Sequence, residues 1–409
     1  MIAVSRIASL RRVITALVLV VLSCALPIPQ ASAGRFDWLP DNTWVKMTLP
    51  TTTKYVCHNF VDCTLQKTIS SPIGREFSGV AYGDGLIYYF GGGHGGHPGN
   101  DVEIYSVATN TWSQLTVPEG LPTICLTDPS ADPACLIMGG GGTTTITPQG
   151  KPYTEHMYQR SAYDPIRRWF ISGCGSGTWA FDPATARWTR LTPNLPPSSG
   201  IETKCMVFDP DAGTVLWFAT TNYATGVYGF DYSTNTWVRR SSIPSAVTWS
   251  NIYTAYDSDQ HKHLISHGSA GFWFYDARSN SWSQLTNVPM PKATSLSYDS
   301  VNKVFLLARG DEAGGSPVEF WTFDGRTRWT QLTSTGTLPI GPAWWNPLVY
   351  DAQDNVFFFV NLRYSSTDGA GSGGNREGDV ETWVYRYKYA PGVADSIAPS
   401  APRTLRTSG

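Results

Sequence analysis

A short phrase recurs along this chain at nearly regular intervals, and it limits the folds that the chain can adopt. Each copy has an aromatic residue, a turn rich in Asp, Thr, Asn or Ser, and a Trp six or seven residues after the aromatic. The copies are Tyr105 to Trp112, Phe181 to Trp188, Phe230 to Trp237, Tyr275 to Trp282 and Phe323 to Trp329. Self-similarity of this kind is typical of architectures that repeat one supersecondary unit around or along an axis.

A second phrase, an aromatic residue followed by Asp, lies upstream of most copies and sets the length of the repeat. Its aromatic positions are Tyr163, Phe208, Tyr256, Tyr298 and Tyr350, and Tyr82 holds the same place before Gly83-Asp84. From Tyr163 onward these positions are 42 to 52 residues apart, which is the length of a four-stranded propeller blade. The runs between them are short, apolar and rich in β-forming residues. The chain is therefore predicted to be all-β and to form a six-bladed β-propeller.

The sixth blade lacks a Trp-led last strand at its own end of the chain. Asn42-Thr43-Trp44, near the other end, repeats the Asn-Thr-Trp of the first and third copies. We therefore expect residues 44–49 to complete the blade formed by 346–350, 356–360 and 380–387. An N-terminal strand in this place removes an open sheet edge and ties down a terminus.

Seven blades are the alternative count, because Tyr82 and Tyr163 are nearly two repeat lengths apart. The excess, residues 117–153, contains no Trp and is rich in Pro, Gly and Thr. That composition favours a long loop over an additional blade.

The first 33 residues have the pattern of a secretory signal peptide. Three arginines precede the apolar stretch 13–26, and Ala31-Ser32-Ala33 is a cleavage site of small residues. We therefore expect a secreted or periplasmic protein with the propeller at 34–392. The Pro- and Ser-rich tail, 393–409, is either a linker or the start of a fibronectin type III-like segment.

Charge narrows the choice of partners. The whole chain has a formal net charge of −2, and removal of the leader takes away three arginines and no acid. Nucleic acid is not an expected partner, because its recognition needs a basic surface. No later segment is apolar enough to span a membrane, and we expect a monomer.

Six cysteines follow the leader, and an even number in an exported chain indicates disulfides. The preferred pairs are Cys57–Cys63 and Cys125–Cys135, each closing a loop, and Cys174–Cys205, joining neighbouring blades. Other pairings remain open. The competing interpretation, a zinc site, finds no His at finger spacing.

Loop lengths indicate where a ligand would bind. In a blade of strands A to D, the A–B and C–D turns lie on one face, and the B–C and D-to-A connections lie on the other. The long connections are all of the second kind: 51–75, 91–100, 117–153, 309–317 and 361–378. Long loops on a rigid scaffold are where binding and catalysis concentrate.

The first strand of each blade begins on that same face, so the residues near its start are predicted to form the rim of the central channel. The rim is polar and aromatic, a composition that suits sugar rings and their hydroxyls. Candidate substrate-binding residues are Arg75, His97, Lys204, Asn251, Trp344, Trp345, Asn346, Arg363 and Tyr364.

Candidate catalytic residues fall in two segments. His94 lies in a glycine-rich loop that begins at Gly91, where a His would act as an acid or base. His156, Tyr158 and Arg160 alternate along the segment before Tyr163, and an extended strand would point all three one way. The alternative is that His94 and His97 only cap backbone carbonyls.

With these features in view, the chain resembles the kelch and galactose-oxidase class of propellers. The resemblance rests on Tyr89-Phe90-Gly91-Gly92-Gly93 and on the Asp-x-x-Thr-x-x-Trp turns, and it covers about residues 42–390. Later blades depart from it, because the glycine pair becomes Gly173-Cys174-Gly175 and then Ala219-Thr220. The resemblance implies the fold more strongly than any activity.

Two members of this class bear on function. Secreted propeller polysaccharide lyases use His and Tyr to move a proton and Arg to neutralise a uronate, an inventory that resembles His94, His156, Tyr158 and Arg160. Galactose oxidase needs a copper set that does not stand out here, so no cofactor and no metal site are expected. We expect binding of an extracellular polysaccharide, with cleavage by a lyase mechanism as one version. A non-catalytic module that binds a glycan or a protein is the alternative, and a copper-dependent sugar oxidase is the weakest.

Overall fold

The computed structural model describes residues 34–58, 62–73, 78–92, 99–120, 146–147, 149–153, 157–174, 177–196, 204–219, 225–245, 247, 252–267, 271–285, 295–310, 316–340, 347–362 and 380–389. The chain divides into two compact units, 1–37 and 38–409. Of the first unit the structure describes only a turn, in which the Asp37 amide donates to the Gly34 carbonyl at 3.1 Å. The second unit contains all the strands.

Six antiparallel sheets of four strands form the second unit, together with one two-stranded hairpin. Blade 1 contains β4 (Ser78–Gly83), β5 (Leu86–Gly91), β6 (Glu103–Ser106) and β7 (Thr111–Gln114). Blade 2 contains β8 (Ser161–Asp164), β9 (Trp169–Cys174), β10 (Gly177–Asp182) and β11 (Arg187–Thr192). Blade 3 contains β12 (Lys204–Asp209), β13 (Thr214–Ala219), β14 (Gly226–Asp231) and β15 (Thr236–Ser241). Blade 4 contains β16 (Ile252–Asp257), β17 (Lys262–His267), β18 (Gly271–Asp276) and β19 (Ser281–Leu285). Blade 5 contains β20 (Ser295–Asp299), β21 (Val304–Arg309), β22 (Glu319–Phe323) and β23 (Trp329–Gln331). Blade 6 contains β24 (Leu348–Asp351), β25 (Val356–Leu362), β26 (Val380–Arg386) and β1 (Thr43–Lys46). The hairpin is β2 (Thr52–His58) with β3 (Asp62–Ile69).

The first strands of the six blades form a closed ring. Each contacts the first strand of the next blade, and β24 of the sixth blade contacts β4 of the first. The described part of the chain contains no helix. The prediction of an all-β, six-bladed propeller is confirmed.

The strand that closes the ring comes from the N-terminal side, as the Asn-Thr-Trp copy predicted. β1 pairs antiparallel with β26, with Thr43 opposite Arg386 and Lys46 opposite Trp383. The strand is shorter than the predicted 44–49, because its ladder ends at Lys46. Both ends of the described propeller therefore share one sheet.

The recurring aromatic-Asp phrase has a local physical cause. In blades 2 to 6 the Asp at the end of the first strand accepts amide hydrogen bonds from the turn that follows, as when Asp299 Oδ1 accepts the amides of Val301 at 3.0 Å and Asn302 at 2.7 Å. These Asx contacts replace the ladder bonds that the turn interrupts. The same bonds recur at Asp164 and Asp257.

The Asn of the Asn-Thr-Trp phrase has a second local cause. Asn42, Asn110, Asn235 and Asn280 all have φ of 52 or 53°, and Asn tolerates this left-handed region better than most residues. The Tyr105 hydroxyl donates to Asn110 Oδ1 at 2.7 Å, and the Tyr385 hydroxyl donates to Asn42 Oδ1 at 2.9 Å. The closing strand thus reproduces a contact that other blades make within one hairpin.

Part of the connection 51–75 is not a loop. β2 and β3 form a hairpin that lies against the outer strand of blade 1, where Thr52 Oγ1 donates to the Trp112 carbonyl at 2.8 Å. Lys54 and Glu103, both fully buried, join the hairpin to the blade through an ion pair of 2.5 Å. The prediction that this connection is a loop is therefore wrong for the described part of the segment, and its functional role stays a prediction.

Cys174 and Cys205 are buried and not disulfide-bonded, so the predicted disulfide between them is wrong. Cys174 packs in the core between blades 1 and 2, whereas Cys205 packs in the core between blades 3 and 4. Blades 2 and 3 pack against each other at Gly173 instead. A Cβ added there would lie 2.2 Å from the Trp217 ring, so a residue with a side chain would clash with it. Cys63 is disulfide-bonded, and the Cys57–Cys63 and Cys125–Cys135 pairings stay predictions.

Candidate functional site

The loop-rich face is the face that carries the B–C connections and the connections from one blade to the next. The opposite face carries the A–B and C–D turns, which are short in every described blade, such as 84–85, 165–168 and 183–186. Because each described blade is an antiparallel meander, all the longer connections leave on one side. The one-sidedness of the predicted loops follows from this topology.

A central cavity of about 310 Å³ runs between the first strands of the blades. At the loop-rich end its lining includes Ser78, Tyr158, Cys205 and Ser295. At the other end, tyrosines that terminate the first strands line it, among them Tyr163 and Tyr256. The described lining is a mixture of hydroxyls, aromatic rings and small apolar side chains, and it contains no charged residue.

The segment Met157–Arg160 shapes the cavity wall between blades 2 and 3. The Arg160 amide donates to the Met157 carbonyl at 2.8 Å, and the Met206 amide of blade 3 donates to the Gln159 carbonyl at 2.7 Å. Tyr158, held between these bonds, has φ of 46°. A bulky residue adopts this conformation only where its surroundings impose it. Tyr158 is 4% exposed and lines the cavity.

The structure separates Tyr158 from Arg160. β8 begins at Ser161, and the residues before it form a turn, so the alternation expected of an extended strand does not apply. Arg160 is 1% exposed, and its Nε donates to the Met157 carbonyl at 3.4 Å. It is not among the described residues that line the cavity.

Most of the other predicted site residues lie outside the described residues. These are Arg75, His94, His97, His156, Asn251, Trp344, Trp345, Asn346, Arg363 and Tyr364. Lys204 begins β12, where only its backbone is described. Their assignment to the rim stays a prediction.

The described ends of the glycine-rich motif of blade 1 are structural. Gly91 and Gly92 have φ of 98 and 133°, which explains the glycines there. Asn100 is buried, donates to the Pro152 carbonyl at 3.1 Å and accepts the Glu119 amide at 2.8 Å. These bonds fasten the connection that follows blade 1.

The thiol of Cys205 is not an activated nucleophile. Burial raises its pKa, and a protonated thiol is a weak nucleophile and a poor metal ligand. Burial also raises the pKa of Tyr253, and the neighbouring Cys205 and Tyr158 add to that shift. The walls here are neutral at physiological pH.

Residues on the short-turn face were not anticipated as a set. Tyr163, Tyr256 and Tyr298 each donate a hydrogen bond of 2.7 Å to an Asp of the preceding blade's A–B turn, namely Asp84, Asp211 and Asp259. These bonds tie successive blades together. The signal was the repeated aromatic at the end of the first strand, whose hydroxyl needs a partner when the ring is buried.

The same face contains a buried pair that makes stability depend on pH. His263 Nε2 lies 2.7 Å from Asp209 Oδ2. Burial opposes ionisation of Asp209, but the hydrogen bond to His263 and the amide of Ala212 outweigh it and hold its pKa below the ordinary value. The stabilisation from this shift is present above about pH 3.9, the unfolded value, and is lost as pH falls through the lowered folded pKa.

Asp209→Asn should therefore lower the free energy of unfolding at pH 5 by about 1.5–3 kcal/mol, the size of a hydrogen bond to a charged group. The difference between the two free energies of unfolding should narrow at pH 3, because the carboxylate of the unfolded parent chain takes up a proton below about pH 3.9. Urea unfolding at both pH values measures it. An equal loss of unfolding free energy at pH 5 and at pH 3 would contradict the role given to the Asp209 carboxylate.

The described residues contain no group of three or more His, Cys, Asp or Glu placed to hold a metal ion. Nor do they include a helix with the length and apolarity needed to cross a membrane.

Comparison with known proteins places this geometry in a class. The Kelch motif model matches residues 74–116, which are blade 1 and the residues just before it. Kelch-like protein terF of Aspergillus terreus (strain NIH 2624 / FGSC A1156) is 24% identical over 255 residues, covering 57% of this chain and 49% of that protein. The chain thus spans about half the length of this curated relative.

The chain is therefore a six-bladed β-propeller whose first blade matches the Kelch motif. This fold suggests a binding or protein-interaction module, and the ligand depends on the residues of the binding face rather than on the fold.

Proposed function

We propose that this protein is an exported binding module that holds an extracellular polysaccharide on its loop-rich face. One observation carries the proposal: the long connections and the end of the channel lined by Ser78, Tyr158 and Ser295 lie on the same side of the ring. Concave sites with a few polar groups among aromatic rings are typical of ligand binding.

Export is part of the proposal because of the leader-like residues 1–33. The polysaccharide is favoured over a protein ligand by the predicted rim. Trp344 and Trp345 offer flat faces for sugar rings, and Arg75, Asn251 and Asn346 offer hydrogen bonds to hydroxyls and carboxylates.

Trp344→Ala should weaken polysaccharide binding by about tenfold, because an aromatic stacking partner contributes on the order of 1.4 kcal/mol. Affinity electrophoresis on gels containing soluble polysaccharides measures it. Trp38→Ala is the matched control, since Trp38 is 55% exposed and precedes β1 on the short-turn side. If the parent protein, Trp344→Ala and Trp38→Ala migrate equally slowly on every polysaccharide gel, the loop-rich face is not the binding surface.

The lyase version is decided with the same polysaccharides. Release of a product absorbing in the ultraviolet, as an unsaturated uronate does, and its loss in Tyr158→Phe would assign a proton-moving role to Tyr158. Binding without such a product would leave a non-catalytic module. The described channel lining favours binding, because it combines hydroxyls and aromatic rings with small apolar side chains, a composition typical of ligand sites.

A further inference from the structure

We infer that the outer edge of blade 5 binds an extended segment of a partner protein, in the way that the outer edge of blade 1 binds strand β2 of its own chain. Blade 1 shows this edge occupied, and blade 5 shows the same polar groups exposed. None of the residues involved lines the central cavity, so this surface is separate from the one proposed for the polysaccharide.

One pair of residues recurs on the outer edge of every blade. It joins the residue two places after the Trp of the last strand to the residue opposite it in the third strand. In chain order of the blades the pairs are Gln114–Glu103, Arg190–Trp179, Arg239–Tyr228, Gln284–Trp273, Gln331–Trp321 and Lys46–Trp383.

Blades 1 and 5 have the same backbone geometry beside this pair. The Leu115 amide donates to the Val102 carbonyl in blade 1, and the Leu332 amide donates to the Phe320 carbonyl in blade 5, both at 2.8 Å. In each blade the Trp of the last strand is buried on the side of the preceding blade. The Gln two residues later therefore lies on that same side of the sheet.

In blade 1 the Gln of this pair holds a strand by its backbone. Gln114 Oε1 accepts the Tyr55 amide at 2.8 Å, and Gln114 Nε2 donates to the Tyr55 carbonyl at 3.0 Å. Nε2 also donates to Asp101 Oδ2 at 2.6 Å, which fixes the orientation of the side-chain amide. Because both bonds to β2 end on backbone atoms, any residue except Pro could take the place of Tyr55.

Blade 5 presents the same polar groups at an exposed edge. Gln331 is exposed, and no hydrogen bond between described residues involves its side chain. Glu319 takes the place of Asp101, since each lies two residues before the third-strand member of the pair. Glu319 is 42% exposed and accepts Trp321 Nε1 at 3.3 Å. A carboxylate is thus available to orient the Gln331 amide.

The other blades lack part of this set. In blades 2 and 3 an Arg stands where blade 5 has its Gln. In blade 6 the residue is Lys46, which pairs with Glu381 at 2.7 Å. Blade 4 has Gln284, but Gly271 stands where blade 5 has Glu319. Among the described edges, blade 5 therefore matches blade 1 most completely.

The third-strand residue selects the side chain that the partner brings. In blade 1 this residue is Glu103, which pairs with Lys54 of β2. In blade 5 it is Trp321, which is half-buried against the core between blades 4 and 5. An indole favours an apolar side chain at the place of Lys54, and Glu319 disfavours an acidic one. Main-chain bonds then supply affinity, and Trp321 supplies selectivity.

Saturation-transfer NMR tests the inference with the full chain and a synthetic peptide of residues 50–56 that carries Lys54→Leu. The peptide should bind, with strong transfer to the Leu methyl protons. Gln331→Ala should raise its Kd about tenfold, the value of two neutral hydrogen bonds, without loss of stability, because Gln331 is exposed. A peptide that carries Lys54→Glu should bind more weakly than the Lys54→Leu peptide.

Thr330→Ala is the matched control, since Thr330 is the exposed neighbour of Gln331 and its side chain points to the other face of the strand. Its Kd should equal that of the parent. Failure of the Lys54→Leu peptide to bind, or an equal Kd in Gln331→Ala, would overturn the inference. Sedimentation checks the other occupant: a dimer that Gln331→Ala dissociates would assign the edge to a second copy of the chain and also overturn it. Each of these results leaves the polysaccharide proposal standing, because that proposal is tested at Trp344.

Discussion

Trp44→Ala is expected to lower the free energy of unfolding by about 3–5 kcal/mol, the cost of removing a large buried aromatic side chain. Trp44 is 1% exposed. Its ring stacks on Phe320 of blade 5, with 4.1 Å between ring centroids, and on Tyr385 of blade 6, with 4.7 Å between ring centroids. Urea unfolding measures the loss.

The same substitution should release the closing strand. β1 is held by its ladder to β26 and by bonds to blade 5, where the Trp44 amide donates to the Thr335 carbonyl at 3.2 Å. Without the indole, we expect brief proteolysis to cut within 38–47, since a terminus that loses its docking frays. Mass spectrometry of the early fragments identifies the cut.

Trp282→Ala is the matched control, because Trp282 lies in the last strand of blade 4, in mid-chain, and its ring packs against Tyr275 at 4.9 Å between ring centroids. It should destabilise the protein without exposing the N-terminal strand. Two results would contradict the claim that β1 closes the ring. One is equal early cleavage within 38–47 in both variants, and the other is a loss of unfolding free energy below about 1 kcal/mol in Trp44→Ala.

Lys54→Met should cost about 3–5 kcal/mol, because it leaves the carboxylate of Glu103 buried without its counter-charge. Both side chains are fully buried. Lys54 Nζ also donates to the Ser71 carbonyl at 2.7 Å, and Glu103 Oε1 accepts the Ile73 amide at 2.8 Å. The pair therefore holds both ends of the segment that contains the hairpin.

Adding Glu103→Gln should recover more than about 1 kcal/mol of that loss, since the amide still accepts from Ile73 and the unpaired charge is gone. A double-mutant cycle by urea unfolding gives the coupling energy. Losses that simply add in the double variant would show that Lys54 and Glu103 do not act as a pair.

The blades were predictable because their signals are local. The Asp of each first strand caps its own turn, as at Asp299, and the left-handed Asn precedes its own Trp, as at Asn110. The ring closure could also be predicted, because Asn42 stands before its own Trp as Asn110 does. This holds although its hydrogen-bond partner, Tyr385, is at the far end of the propeller sequence.

The hairpin and the cysteines were not predictable, because long-range packing decides them. Thr52–His58 has the alternation of a strand, but its place depends on Gln114, whose Oε1 accepts the Tyr55 amide at 2.8 Å. Cys174 and Cys205 lie in adjacent blades, yet they pack into different inter-blade cores. Sequence proximity of blades does not reveal which side of a sheet a side chain occupies.

The site was predictable in its location more than in its chemistry. Topology placed the long connections on one face, and Tyr158 lines the channel as a rim candidate should. Arg160 was misplaced because an extended strand was assumed where Tyr158 adopts a left-handed turn.

Hydrogen–deuterium exchange with and without a bound polysaccharide tests the central claim most directly. Slower exchange is expected in peptides that contain Tyr158–Gln159 and Cys205–Met206, which line the channel, and no change is expected in the turns 165–168 and 258–261 on the opposite face. Protection confined to those short turns, or none at either face under saturating ligand, would contradict it.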